Sequence, residues 1–322
     1  MPPGTLSGIY TNSHVNAPAK LPKGKADVVI FSTGYGLGRS FYATLNEELA
    51  SQGYVVAAME HLYDTSYIDV AGLGEFWNKY NATVPPTKEA MEVILEEMHE
   101  VRVADTLFVL ESLGNKDSAL VKGLPQAAFS CGGGGGARGH WWAKNAKVAA
   151  FGHSLGGSTV AGAMLVNKSS VKLLGGINMD GRFRGPAKNP PPPPNDTIKA
   201  PFLIMGATGH NRTTDESWMA FWENVAKGWK AETSINGSAH GTYTDIPAIV
   251  EMLGLRNAPP KVLPPGFVDG IVGPINGYRA IQIGREQLGA FMGFVMRGER
   301  EGKLLLEGKA GAAEKWPEVS FL

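Results

Sequence analysis

Five short apolar runs, "ADVVIFSTG", "GYVVAAME", "AKVAAFG", "VKLLGGINMD" and "APFLIMGATG", recur along the chain, each rich in Val, Ile, Leu and Ala and closed by Gly or a polar residue. Runs of this length and character read as buried strands of a parallel sheet. Between them the apolar positions take helical spacing over Tyr42–Ser51, about Lys88 to Leu113, Leu155–Val166, Asp215–Lys227 and about Ala280–Arg297. Strand and helix alternating over such a length predict one doubly wound α/β domain across residues 1–322. At 322 residues the chain can bury a core large enough for it.

Two segments interrupt this pattern. "KNPPPPPND" at 188–196 is a stiff polyproline insert before the "APFLIMG" strand, and "CGGGGGARGH" at 131–140 is a glycine tract read as a flexible surface loop. The tract lacks the Lys and following helix of a phosphate cradle. Residues of about 64–100, with Phe76, Trp77 and Tyr80, form a candidate lid or cap, and Phe76 and Trp77 are candidate substrate contacts.

Thirty basic residues balance thirty acidic ones, so no net field draws nucleic acid or an anionic membrane. The single Cys131 excludes an intramolecular disulfide and a cysteine-based zinc site. The start "MPPGTLSGIYTNSH" has no basic and apolar leader, which favours a cytoplasmic location if the chain is complete. Five N-glycosylation triplets, at Asn81, Asn167, Asn195, Asn211 and Asn236, are about three times the chance expectation and point the other way, to secretion from a longer chain. Oligomeric state is not legible.

"VAAFGHSLGGSTVAGAML", Val148 to Leu165, is apolar enough to raise the question of a membrane span, but its centre is G-x-S-x-G between a strand and a helix. That is the nucleophile elbow: Gly152 and Gly156 leave room for a tight turn that forces Ser154 outward, and the following helix N-terminus favours a developing oxyanion. A serine hydroxyl needs a base, and the base needs a carboxylate to hold its tautomer, in the order Ser, acid, His.

Only His210 and His240 follow Ser154 among the candidate bases. His240, in the small-residue loop "NGSAHGTYTD", is the expected base, and His210 reads as a polar loop residue. Asp180, closing a strand, is favoured as the acid; Asp215 is the alternative, or else the N-cap of the helix that follows it. The oxyanion donors are expected at the Leu155 N–H and, from "STGYGLGRS", the Tyr35 N–H. His153, beside the nucleophile, is a further candidate substrate contact. Glu60 and His61 are read as ordering a loop, and Arg102 with Asp105 as an ion pair on the long helix.

In combination, "VVIFSTGYGLGRSFYATLNEELASQGYVVAAMEHLYDTS", "VRVADTLFVLESL", "FGHSLGGSTVAGAML", "GGINMDGRF", "GSAHGTYTDIP" and "WPEVSFL" resemble the platelet-activating factor acetylhydrolase-like α/β-hydrolases, the fungal members above all. The resemblance implies the α/β-hydrolase fold and a serine esterase with no metal or other cofactor, acting on short acyl groups of phospholipids or related hydrophobic esters. It places nucleophile, acid and base on Ser154, Asp180 and His240, and the oxyanion donors on Tyr35 and Leu155. Two departures stand out: the family's strands before "VVIF" are largely lacking, and its histidine in the first oxyanion loop is Thr33 here.

Three rival readings remain. A cutinase-like polyester hydrolase would prefer long chains, and a lactone-opening or acyl-transferring enzyme of secondary metabolism would give a different product with an added alcohol. A non-catalytic binder on the same fold would release its ligand unchanged.

Overall fold

The computed structural model describes residues 11, 13, 14, 17, 27–80, 86–115, 117–123, 146–189 and 197–322. The glycine tract and most of the polyproline insert lie outside these. The elements in chain order are β1 (Val28–Ser32), α1 (Ala43–Ser51), β2 (Val55–Met59), β3 (Tyr67–Val70), β4 (Gly74–Trp77), α2 (Lys88–Gly114), α3 (Ala119–Gly123), β5 (Val148–His153) and α4 (Leu155–Val166). They continue with β6 (Leu173–Met179), β7 (Phe202–Gly206), α5 (Glu216–Ala220), β8 (Lys230–Ile235), α6 (Ile246–Met252), α7 (Phe267–Val272), α8 (Gly277–Met292), α9 (Arg300–Leu306), α10 (Ala312–Lys315) and β9 (Val319–Phe321).

Seven strands form one sheet in the order β2-β1-β5-β6-β7-β8-β9 among the described residues, all parallel except β9. The five apolar runs are its first five parallel strands, and the strand-like "KAETSI" is the sixth. Because side chains alternate across a strand, Val29 and Phe31 face one layer with Ala149, Phe151 and Leu203, against Leu45 and Leu49 of α1 and Ile283 and Phe291 of α8. Val28 and Ile30 face the other with Ala150 and Ile204, against Leu110 of α2, Val160 of α4 and Trp218 of α5. The apolar stretch after Ser154 is thus a helix packed on the sheet, and among the described residues no helix is long and apolar enough to cross a membrane.

The helix expected over Asp215–Lys227 begins at Glu216 and widens into an i→i+5 turn at Phe221–Val225, and α8 ends in the same way at Gly293–Arg297. The β3–β4 hairpin and β9 were not read from the sequence. Each is only three or four residues long, and the hairpin is half exposed, so neither carries the apolar run that marked the other strands.

Candidate active site

The residues singled out for chemistry gather at the carboxyl ends of neighbouring parallel strands, where open α/β sheets form their crevice. Ser154 follows β5 at φ 56° and ψ −126°, a left-handed backbone for a non-glycine residue. The turn is held by its N–H donating to the Met179 carbonyl at 2.8 Å. A Cβ on Gly152 would lie 2.3 Å from the Gly156 backbone, and one on Gly156 would lie 2.1 Å from the Ser32 carbonyl oxygen. Both glycines are therefore sterically required. Strand, turn and helix approach more closely than side chains allow, and Ser154 is the residue turned outward.

Asp180 caps β6 in a second left-handed conformation, φ 57°, and is almost wholly buried. Its Oδ2 accepts from Nδ1 of His240 at 2.6 Å. Its Oδ1 accepts from the Ala207 N–H at 2.7 Å and from Nδ1 of His210 at 2.7 Å. Burial raises the pKa of the carboxyl, but the bonds from His210 and His240 outweigh it and hold Asp180 well below the usual carboxylate range. The His240 ring is exposed, and with Nδ1 on Asp180 its Nε2 lies on the far side of the ring.

The backbone of His240 is fixed from below. The Gly34 N–H donates to Oη of Tyr42 (3.0 Å), Tyr42 Oη is 2.9 Å from Nδ1 of His153, and Nε2 of His153 is 3.0 Å from the His240 carbonyl. A carbonyl only accepts, so His153 carries its proton on Nε2 and takes the tyrosine proton at Nδ1. Burial, with the nearby His240 ring, lowers the His153 pKa to about 3, which keeps the ring neutral and the chain of bonds intact. His153 is thus corrected from a substrate contact to a buried strut: it is 1% exposed and both ring nitrogens are committed.

On the opposite side, Arg102 of α2 is wholly buried and pairs with Asp64 through Nε and Nη2, both at 2.6 Å. Its remaining donors reach the carbonyls of Thr33 and of Gly34. In a trans peptide the C=O of one residue and the N–H of the next point in opposite directions. Holding the Gly34 carbonyl toward Arg102 therefore turns the Tyr35 N–H away from it. The Tyr35 hydroxyl is tied separately to Asn78 Oδ1 at 3.2 Å. The expected Arg102–Asp105 pair does not form, because Arg102 points into the loop after β1, while Asp105 bonds Nδ1 of His61 at 2.7 Å. His61 is buried and also reaches Ser32 Oγ at 3.1 Å, and Glu60 holds Arg39.

Asp215 is the N-cap of α5, its Oδ1 accepting from the N–H groups of Ser217 and Trp218. Its Oδ2 meets Nε2 of His210 at 3.1 Å and Nε of Arg182 at 3.0 Å. His210 therefore bridges Asp180 and Asp215, with its ring on Trp218 at 4.2 Å. The reading of His210 as a plain loop residue is corrected. Its place directly after β7, at the crevice end of the sheet, was the signal that could have marked it.

A cavity of about 320 Å³ is lined by Ser154, Leu155, Asp180, His210 and His240, with Glu92 and Leu95 of α2 and Arg182 and Arg184 from the loop after β6. Phe76 and Trp77 are not among the lining residues. They sit on the β3–β4 hairpin, Phe76 edge-on to Tyr63 and Trp77 exposed against Tyr67. Among the described residues, no group of three or more His, Cys, Asp or Glu is arranged to hold a metal ion.

The model of the family described as platelet-activating factor acetylhydrolase, isoform II, matches residues 5–99, the part that carries β1 and the loop after it. A fungal protein of Arthroderma benhamiae, named a probable 1-alkyl-2-acetylglycerophosphocholine esterase, is 29% identical over 299 residues; these are 92% of this chain and 66% of that protein's length. The ferulic acid esterase from Streptomyces cinnamoneus superposes with a TM-score of 0.67 at 25% identity, over 92% of this chain and 74% of that one. The fold is thus the α/β-hydrolase fold, the resemblance read from the sequence motifs is borne out, and the chain spans just under two thirds of the fungal relative's length.

Proposed function

We propose that this platelet-activating factor acetylhydrolase-like α/β-hydrolase cleaves short acyl groups from phospholipid-like or other hydrophobic esters, with Ser154 as nucleophile, His240 as base and Asp180 as its orienting acid. The observation that carries the reading is the 2.6 Å bond from Nδ1 of His240 to Asp180 beside an elbow that turns Ser154 into the same cavity. In this mechanism His240 Nε2 takes the Ser154 hydroxyl proton as Oγ attacks the ester carbonyl. The oxyanion is held by the Leu155 and Tyr35 N–H groups, and the tetrahedral adduct collapses as His240 protonates the departing alcohol. Water, deprotonated by His240, then releases the acid and restores the serine.

The preference for short acyl groups is supported by the small cavity and by the name of the fungal relative. The test is hydrolysis of p-nitrophenyl esters from acetyl to dodecanoyl, with a 2-acetyl phospholipid alongside, by wild type and Ser154→Ala. Acetyl ester turnover that disappears in the variant is expected. Activity on long chains alone would replace the reading with a lipase or polyesterase, and a fluorophosphonate label mapped to any residue but Ser154 would overturn the nucleophile.

A further inference from the structure

Asp180 is shared by two histidines, and the second one is itself held at both ends. Nδ1 of His210 lies 2.7 Å from Asp180 Oδ1, and Nε2 lies 3.1 Å from Asp215 Oδ2. An ionised carboxylate offers only lone pairs, so each of these contacts needs a proton on the ring nitrogen. A neutral ring would leave one nitrogen lone pair facing a carboxylate oxygen. The geometry therefore demands an imidazolium.

We propose that His210 is a positioning residue of the ester hydrolase: a fixed imidazolium that bridges Asp180 and Asp215, anchors Asp180 Oδ1, and draws part of that carboxylate's charge away from His240. The proposal rests on the Ser154, Asp180 and His240 reading above.

The groups facing His210 come from three elements. The loop after β6 supplies Asp180 and, through Asp215, Arg182; the start of α5 supplies Asp215 and the neutral indole of Trp218; the loop after β8 supplies His240, reached through Asp180. Two carboxylates are thus matched by two cations while His240 is neutral. Burial disfavours the charge on His210, but the two carboxylates prevail and push its pKa up to about 9. When His240 takes a proton during the reaction, it faces a carboxylate already half engaged by another cation. Its imidazolium is stabilised less than it would be on an unshared aspartate.

The direct test is the protonation state of His210 in protein labelled with ¹⁵N at the imidazoles, read from long-range ¹H–¹⁵N correlations between pH 6 and pH 10 and assigned with His210→Gln. Both nitrogens protonated through pH 8, with loss of a proton near pH 9, is the expected result. A neutral ring with one proton at pH 7 would overturn the proposal.

The second readout is the pH profile of kcat/KM for p-nitrophenyl acetate. In His210→Gln the acid limb should move to higher pH by about one unit, because the neutral amide can still donate to Asp180 but no longer offsets its charge. A purely structural role would lower kcat with the limb unmoved, and that outcome would also overturn the proposal. If His210→Gln does not fold, Asp215→Asn should lower the His210 midpoint by at least one unit, about the effect of losing one carboxylate partner, and an unchanged midpoint would count against the bridge. Failure of the Ser154 reading would appear differently, as turnover that survives Ser154→Ala, and would leave the His210 titration standing.

Discussion

Oη of Tyr42 lies 2.9 Å from Nδ1 of His153, joining the loop after β1 to the loop that carries His240 across a wholly buried path. Tyr42→Phe removes one hydroxyl and leaves two buried partners, the Gly34 N–H and His153 Nδ1, without their bonds. A loss of about 2 kcal/mol in unfolding free energy is expected, within the range for stranded buried polar groups. Ester hydrolysis should fall with it, since both loops lose a fixed point. Denaturant titration and initial rates on the same preparation check this, and a variant as stable as wild type would remove the strut from the account.

His153 also predicts an acid limit to stability. Its folded pKa is about 3, below the ordinary value of 6.5, so between these limits the unfolded chain binds a proton that the folded one refuses. Stability present above pH 6.5 should therefore decline as pH falls toward 3, at up to about 1.4 kcal/mol per pH unit for one such group. His61 and His99, lowered chiefly by burial, add in the same direction. Unfolding free energy measured from pH 7 to pH 4 in wild type and His153→Gln should show a shallower slope in the variant.

His210 has the opposite sign. Its folded pKa of about 9 lies above 6.5, so its contribution is complete below pH 6.5 and disappears as pH rises through about 9. Thermal melts between pH 6.5 and pH 9.5 should show a decline in wild type that His210→Gln lacks.

Arg102→Lys keeps a positive charge near Asp64 but cannot bond the carboxylate twice and still hold both loop carbonyls. With the Tyr35 N–H, the proposed oxyanion donor, less firmly aimed, kcat should drop by about tenfold or more while KM changes little. Arg102→Met leaves Asp64 unpaired in the interior and should cost about 3 to 5 kcal/mol of stability. Steady-state kinetics and chemical denaturation separate the two effects.

The elbow predicts a contrast among small substitutions. Ser154→Gly removes the cost of a left-handed non-glycine backbone and should be more stable than Ser154→Ala by about 1 kcal/mol, with both inactive. Gly156→Ala would put a methyl 2.1 Å from the Ser32 carbonyl and should fail to reach the native fold. Paired thermal melts with circular dichroism decide this.

The strand-to-helix turn at Ser154, the five strands before it and after it, and the two glycines that the turn needs were legible in the sequence, because close backbone approach and apolar runs are local properties. The N-cap role of Asp215 was legible for the same reason, since its acceptors serve residues two and three positions on. What the tertiary structure alone decided is which side chains meet across loops. Asp180 and Asp215 both follow a strand, and only the register of β6, β7 and β8 sets Asp180 against His240 while leaving Asp215 to His210. Arg102 meets Asp64, 38 positions away, rather than Asp105 three positions along its own helix, because α2 packs its buried face on the loop after β1. His153 looked like a neighbour of the substrate from its place beside Ser154, yet alternation along β5 turns it into the interior, where burial and two hydrogen bonds make it neutral and structural. Contacts of this kind depend on distances between chain segments that local periodicity does not encode.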